Sequence, residues 1–315
     1  MLIDPHGLPL PPSWWQPRAT RVDALRDLRA RSAPFDPGVL EAASYYCDWP
    51  LVRELYQGRL ERGDVCAAHH AALGLALLRQ GDVDGARECS IRAALLDPRE
   101  LGGQRLHWEL GEWEPWRRSL PALPRGPRSS RRLRLELLGP HHWQDLLWQY
   151  EAGDISRLCG WPRFRCYSHW RAWLEREYAC GDLVMFAVLE STWGFCGVVS
   201  LVLHRDVGLV YYWLGQEFRG QGLAAEAVGC LLALGRELWG LRGCYANVFA
   251  ENEPSRRLLE RLGFELEAVA PLPPHEDELI YRLGPVQSTA ATHAELSVLF
   301  RQMRSDRRLR PCLAP

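Results

Sequence analysis

The chain runs to 315 residues with a formal net charge of −1 and 47% hydrophobic residues, enough for two packed domains. That balance excludes the broad basic face of a general nucleic-acid binder. No apolar run reaches membrane-spanning length and no basic-then-apolar leader opens the chain, so neither a membrane partner nor a secretory signal is expected.

The 10 cysteines include no Cys-x-x-Cys pair. They fit reduced, buried thiols of a cytoplasmic protein better than a disulfide framework or a zinc site, and no metal is expected. All 38 Lys+Arg residues are arginine. A GC-rich genome accounts for this, lysine codons being A-rich; the other reading is an enzyme or effector that handles lysine amines and presents none of its own.

Residues 1–37 form an N-terminal segment with a short helix predicted over 22–31 and no assigned function. Residues 38–120 read as an all-α domain. Within it, Leu73, Gly74, Ala86, Ala93 and Pro98 fall at the spacing of a tetratricopeptide repeat, a helix–turn–helix unit of about 34 residues. Gly74 and Ala86 are small where two helices would approach most closely, Gly81-Asp82 makes the turn, and Pro98 stops the second helix. Residues 36–63 and 101–120 read as flanking helical pairs of atypical sequence. Such a domain either presents a concave peptide-binding surface or simply braces its neighbour. Residues 121–131, with three prolines and a glycine, read as a solvated linker without regular structure.

From residue 132 the pattern turns to mixed α/β. Strands are predicted over 132–138, 184–189, 195–203, 208–214, 244–249 and 278–283. Helices are predicted over 140–150, 170–178 (capped by Ser168), 223–238 and 255–262, the last closed by Gly263. Between the strand at 208–214 and the helix from Leu223 lies Gly215-Gln-Glu-Phe-Arg-Gly-Gln-Gly222. Glycines before a helix start let main-chain N–H groups face an anion, which the helix dipole also favours. This is the recipe for a pyrophosphate cradle, although an ordinary strand-to-helix turn has the same outline. The tail, 285–315, carries Leu296, Leu299, Phe300 and Met303 at helical spacing. It is expected to dock back on the helical domain, a partner-binding role being the alternative.

Arg219-x-x-Gly222-x-Ala224 resembles the acyl-CoA-binding loop of the GNAT superfamily of N-acetyltransferases. Two further motifs join it: Glu226-Ala227, and Asn252-Glu-Pro-Ser255 followed by Gly263-Phe264. Asp277 and Tyr281 also match the last strand of the branch typified by bacterial ribosomal-protein N-terminal acetyltransferases. The resemblance covers residues 132–284 and implies the α/β GNAT fold, a mixed, mostly antiparallel sheet flanked by helices.

It further implies acetyl-CoA as cosubstrate. The strand through Leu214 and Gln216 would pair with the pantetheine arm. Arg219, Gly220, Gln221, Gly222, Leu223 and Ala224 would hold the pyrophosphate, and Asn252 would bind the pantetheine or order the loop. Ser255, with Tyr212 and Asp277, would carry the chemistry. Ser255 would give a proton to the leaving thiolate, unless it is only the cap of its helix.

Where the branch often has a carboxylate, this chain has Leu209. Tyr211, Tyr212, Glu217, Glu226, His275 and Asp277 are the substitutes for a base. Cys230 and Cys244 are expected to be packed thiols. The pairs His69-His70 and His141-His142 are expected to pack, because adjacent helical residues do not share a face. The expected reaction is acetyl transfer to a primary amine of a protein or peptide acceptor, presented by the tetratricopeptide-like domain. A small-amine acetyltransferase, or a non-catalytic adaptor keeping the fold, are the alternatives.

Overall fold

The computed structural model describes residues 37–119, 128–150, 166–179, 181–267 and 278–304, with a few positions among 23–30 and 155–164. Asp23, Arg26 and residues 28–30 are helical, within the helix expected there.

Five helices come first: Pro37–Tyr45 (α1), Trp49–Glu61 (α2), Ala67–Arg79 (α3), Val83–Leu96 (α4) and Leu101–Ser119 (α5). α3 and α4 form the expected helix–turn–helix. Gly81 turns the chain at φ +79°, and Asp82 caps α4 by accepting the Gly85 N–H at 3.0 Å. A Cβ on Gly74 would sit 2.9 Å from that of Cys89 and collide with Leu106, so the small residue does mark the closest approach. Residues 101–119 are one long helix, not the expected pair. The helix runs through Gly111 and Pro115 without a break, and α5 lies across both α3 and α4, burying Leu106 completely.

The second part is an eight-stranded sheet in the order β1-β2-β3-β4-β5-β6-β8-β7. Its strands are Arg128–Ser129 (β1), Leu133–Leu137 (β2), Leu183–Glu190 (β3), Gly194–His204 (β4), Val207–Leu214 (β5), Gly243–Phe249 (β6), Glu265–Leu266 (β7) and Glu278–Leu283 (β8). All neighbours are antiparallel except β5 and β6. The sequence analysis missed β1 and β7, each two residues long. β1 corrects the expectation that 121–131 lacks regular structure: Arg128 and Ser129 pair with Leu135 and Arg134, a proline-free end of the linker that can donate to a ladder.

Helices cover both faces. Leu223–Trp239 (α8) and Glu253–Arg261 (α9) pack on one, burying Val199, Leu201, Val210 and Leu231. Trp143–Tyr150 (α6) and Tyr167–Ala179 (α7) cover half of the other with an aromatic cluster that includes Trp170, Trp173 and Trp213. α7 begins at Tyr167, so Ser168 lies inside it and is not its cap. Thr289–Arg304 (α10) covers the remaining half, with Leu296, Leu299 and Phe300 buried against Val202, Leu209, Tyr245 and Ile280. The tail helix thus docks on the sheet and not on the helical part, because the β4–β6 face offered the larger uncovered apolar surface.

The two parts share a buried polar seam. Trp49 Nε1 donates to Asp145 at 3.0 Å, Arg134 reaches the Gln80 carbonyl, and Arg29 bridges Asp48 and the Thr192 carbonyl at 2.6 Å. A Cβ on Gly81 would collide with Glu136 and Arg134, so this turn also serves the seam. Among the described residues no helix is long and apolar enough to cross a membrane.

Candidate active site

β5 and β6 pair only over Val207–Leu209 against Gly243–Tyr245. Beyond that point the strands diverge, and a cavity of about 500 Å³ opens between them. It is walled by Val210, Tyr212 and Leu214 of β5, and by Ala246 and Val248 of β6. One end is the glycine loop. Gly220 and Gly222 sit at φ +75° and +78° and their hypothetical Cβ atoms meet nothing closer than Arg132 at 3.7 Å, so conformation and not crowding demands glycine there.

Five loop amides have no acceptor within the protein among the described residues. Phe218 and Arg219 N–H groups close a turn on Gly215 and Gln216. Among the described residues, the amides of Gly220, Gln221, Gly222, Leu223 and Ala224 have no hydrogen-bond acceptor, and α8 has no side-chain cap. These are the orphan donors of a helix start, exposed beside the cavity. Arg219 folds back so that its Nε donates to the Leu214 carbonyl at 3.2 Å. The Gln221 side chain donates to the Glu217 carbonyl at 2.8 Å, and Gln216 is exposed at the start of a 3-10 turn.

Glu226 anchors this loop and is not a base. Arg132 pairs with its carboxylate at 2.7 Å while also donating to the Gln221 carbonyl at 3.2 Å, and Ser130 donates a further bond. Partial burial disfavours its charge, but Ser130 and Arg132 outweigh it and hold the carboxyl below its ordinary range.

At the other end, Asn252 caps α9, its Oδ1 accepting the Ser255 N–H at 3.3 Å. Ser255 is therefore the third residue of α9 and not its cap, which leaves its hydroxyl for other work. That hydroxyl lies 2.5 Å from the Tyr212 hydroxyl, across the gap between β5 and α9. Two of the three predicted catalytic residues are thus brought together. The third, Asp277, and His275 lie outside the described residues. Tyr281 is fully buried, donating to Glu260 at 3.0 Å, and braces β8 against α9.

Of the residues on the opposite side of the gap, the sequence analysis named Tyr211 and missed Asn247 and Glu278. Strand alternation puts Tyr211, Asn247 and Glu278 on the face away from α8, and all three border the cavity. Asn247 Nδ2 donates to a Glu278 oxygen. The signal was present: Glu278 is in phase with Ile280, whose side chain packs under α10. Leu209, on the same face, is completely buried.

The thiols are packed as expected: burial pushes Cys244 up to about 12 and raises Cys230. His141 and His142 do share a side, contrary to expectation, because they lie on a 3-10 turn. Their ligand atoms and those of Glu136 fall within 4.8 Å of one another. However, His142 Nδ1 accepts the Gly139 N–H at 3.0 Å, which places the proton of the neutral ring on Nε2 and removes that atom as a ligand.

Residues 132–265 match the family described as Acetyltransferase (GNAT) domain. The chain carries a GNAT acetyltransferase domain. No curated protein matches the chain. Among solved structures, it is similar to the ribosomal L7/L12 alpha-N-protein acetyltransferase RimL, at 19% identity over 52% of this chain and 99% of that one, TM-score 0.44. The ribosomal-protein-S5-alanine acetyltransferase of Vibrio fischeri matches at 18% identity over 50% and 96%, TM-score 0.43. The microcin C7 self-immunity acetyltransferase MccE, in complex with acetyl-CoA and AMP, matches at 18% over 50% and 94%, TM-score 0.44. In the GNAT domain the matched segment contains the glycine loop, Tyr212 and Ser255, and stops short of β8.

Proposed function

We propose that the GNAT domain transfers acetyl from acetyl-CoA to a primary amine of a protein or peptide, the amine attacking the thioester directly. The observation that carries this reading is the juxtaposition of five main-chain amides that have no internal acceptor among the described residues, Gly220 to Ala224, with the open β5–β6 gap. The amides suit a diphosphate. The diverging edges of β5 and β6 suit an extended pantetheine arm lying as an added strand.

The acceptor nitrogen would form the new C–N bond as the C–S bond breaks, and the thiolate would take a proton from the Ser255–Tyr212 pair, 2.5 Å apart. No enzyme nucleophile is needed, in keeping with the buried Cys244 thiol, which burial pushes up to about 12. A protein or peptide acceptor is supported by the helical part, which leaves Ile91, Leu95 and Leu101 exposed.

The test is thiol release from acetyl-CoA with peptides of free α-amine, peptides with only lysine amines, and polyamines as acceptors. Turnover on peptides supports the reading. Turnover on polyamines alone replaces it with a small-amine enzyme, and acetyl-CoA binding without turnover on any acceptor replaces it with a non-catalytic adaptor.

A further inference from the structure

An amine must lose a proton to become an amide, and nothing so far assigned accepts it. On β5, the strand position that resemblance marks for a carboxylate holds Leu209, which is sealed under α10 by Leu299 and Phe300. Glu226 is committed to Arg132 and Ser130. We infer that Glu278 of β8, held by Asn247, is the catalytic residue that takes the proton from the incoming amine. The inference rests on the proposed acetyl transfer and deepens it.

Three observations carry it. Glu278 is the only carboxylate bordering the β5–β6 cavity among the described residues. It faces the side of the sheet away from Tyr212 and Ser255, so proton removal from the nucleophile and proton delivery to the leaving group fall to separate groups on opposite sides of the gap. Lastly, because Asn247 must turn its Nδ2 toward the carboxylate, its Oδ1 points elsewhere, and that oxygen is buried with no hydrogen-bond partner among the described residues. A buried, unsatisfied carbonyl is destabilising, and an amine N–H satisfies it.

Asn247 Oδ1 and Glu278 thus offer two acceptors to one nitrogen, the recognition pattern of a primary ammonium that arrives charged and must be deprotonated in place. The other titratable or charged groups bordering the cavity are Tyr211 and Tyr212 of β5, Arg219 of the loop, and Arg257 and Arg261 of α9. The guanidiniums stay protonated in this role.

The step balances without a co-reactant. The ammonium gives one proton to the Glu278 carboxylate, and the freed nitrogen lone pair adds to the acetyl carbon. As the tetrahedral adduct collapses the C–S bond breaks, and the thiolate takes a proton from the Ser255–Tyr212 pair. The second proton shed by the nitrogen restores that pair, while Glu278 releases its own to solvent.

The experiment compares Glu278→Gln, which keeps shape and can still accept from Asn247, with the unmodified chain. Both are assayed for thiol release against pH and for acetyl-CoA affinity by calorimetry. The expected result is a fall in kcat of about 10²- to 10⁴-fold near neutrality with acetyl-CoA affinity within twofold. The deficit should narrow as pH rises past about 8, where an α-amine deprotonates on its own. Sodium formate should partly restore Glu278→Ala. If the unmodified chain turns over and Glu278→Gln stays within threefold of it with the same pH profile, the inference is overturned and the acetyl-transfer reading stands. If no acceptor yields thiol with the unmodified chain, both fall.

Discussion

Replacing Gly222 by alanine isolates the conformational demand of the loop from every other effect. Gly222 stands at φ +78°, a region that costs an L-residue with a Cβ about 1–2 kcal/mol. The added methyl would meet only Arg132, at 3.7 Å, so no steric term is added. The loop is exposed and its amides have no internal partner among the described residues. Nothing therefore forces alanine to hold the left-handed conformation in the unliganded chain.

The residue relaxes, the amides turn away, and binding must restore them. The strain then appears in affinity: acetyl-CoA should bind about 5- to 30-fold more weakly, from 1.4 kcal/mol per tenfold, with the melting temperature unchanged. Calorimetric titration of the two proteins measures this directly. An affinity within twofold of the unmodified chain would refute the reasoning that these amides contact the ligand.

Ser255→Ala should lower kcat about 10²-fold while leaving acetyl-CoA affinity intact, and Tyr212→Phe should do the same to a smaller degree, since the hydroxyls lie 2.5 Å apart; single-turnover thiol release checks both. Glu109→Gln should cost about 3–5 kcal/mol by urea denaturation, since it strips the carboxylate partner at 2.5 Å from Arg79, whose side chain is 4% exposed. Burial disfavours the Glu109 charge, but Arg79 and Arg105 outweigh it and hold the carboxyl at about 2 against an ordinary 4.5. The folded chain therefore binds fewer protons than the unfolded one below pH 4.5, and the contribution of Glu109 is full above that value and lost as pH falls toward about 2. The glutamine variant should show a flatter stability profile in that window. Trp49→Phe removes the indole N–H that Asp145 accepts at 3.0 Å in the buried seam, and should cost about 1–3 kcal/mol; a loss below 0.5 kcal/mol would show that the seam adapts.

Local chemistry was legible where a residue's own properties decide the outcome. Gly81 and Asp82 announced a turn and a cap, Gly263 a helix stop at φ +85°, and the unbroken β-branched and aromatic run 208–214 a strand. Arg-x-x-Gly-x-Ala marked the loop because left-handed backbone needs glycine. What escaped was tertiary. Ser168 has the chemistry of a cap, but Tyr167 enters α7 one turn early to pack its ring near Trp143 and Trp170. The helix 289–304 showed its apolar stripe without showing which surface would take it. Glu278 escaped because its place at the gap depends on the register of β8 against β6, which sets Phe249 beside Glu278 and Asn247 beside Ile280.

The account stands on main-chain amides at Gly220 and Gly222 gripping the diphosphate of acetyl-CoA. Nitrogen-15 labelling of glycine, followed by amide correlation spectra during titration with acetyl-CoA, reads those two groups without mutation. The account predicts that both resonances shift downfield on saturation and gain protection from solvent exchange. Saturable binding with both resonances unmoved would contradict it.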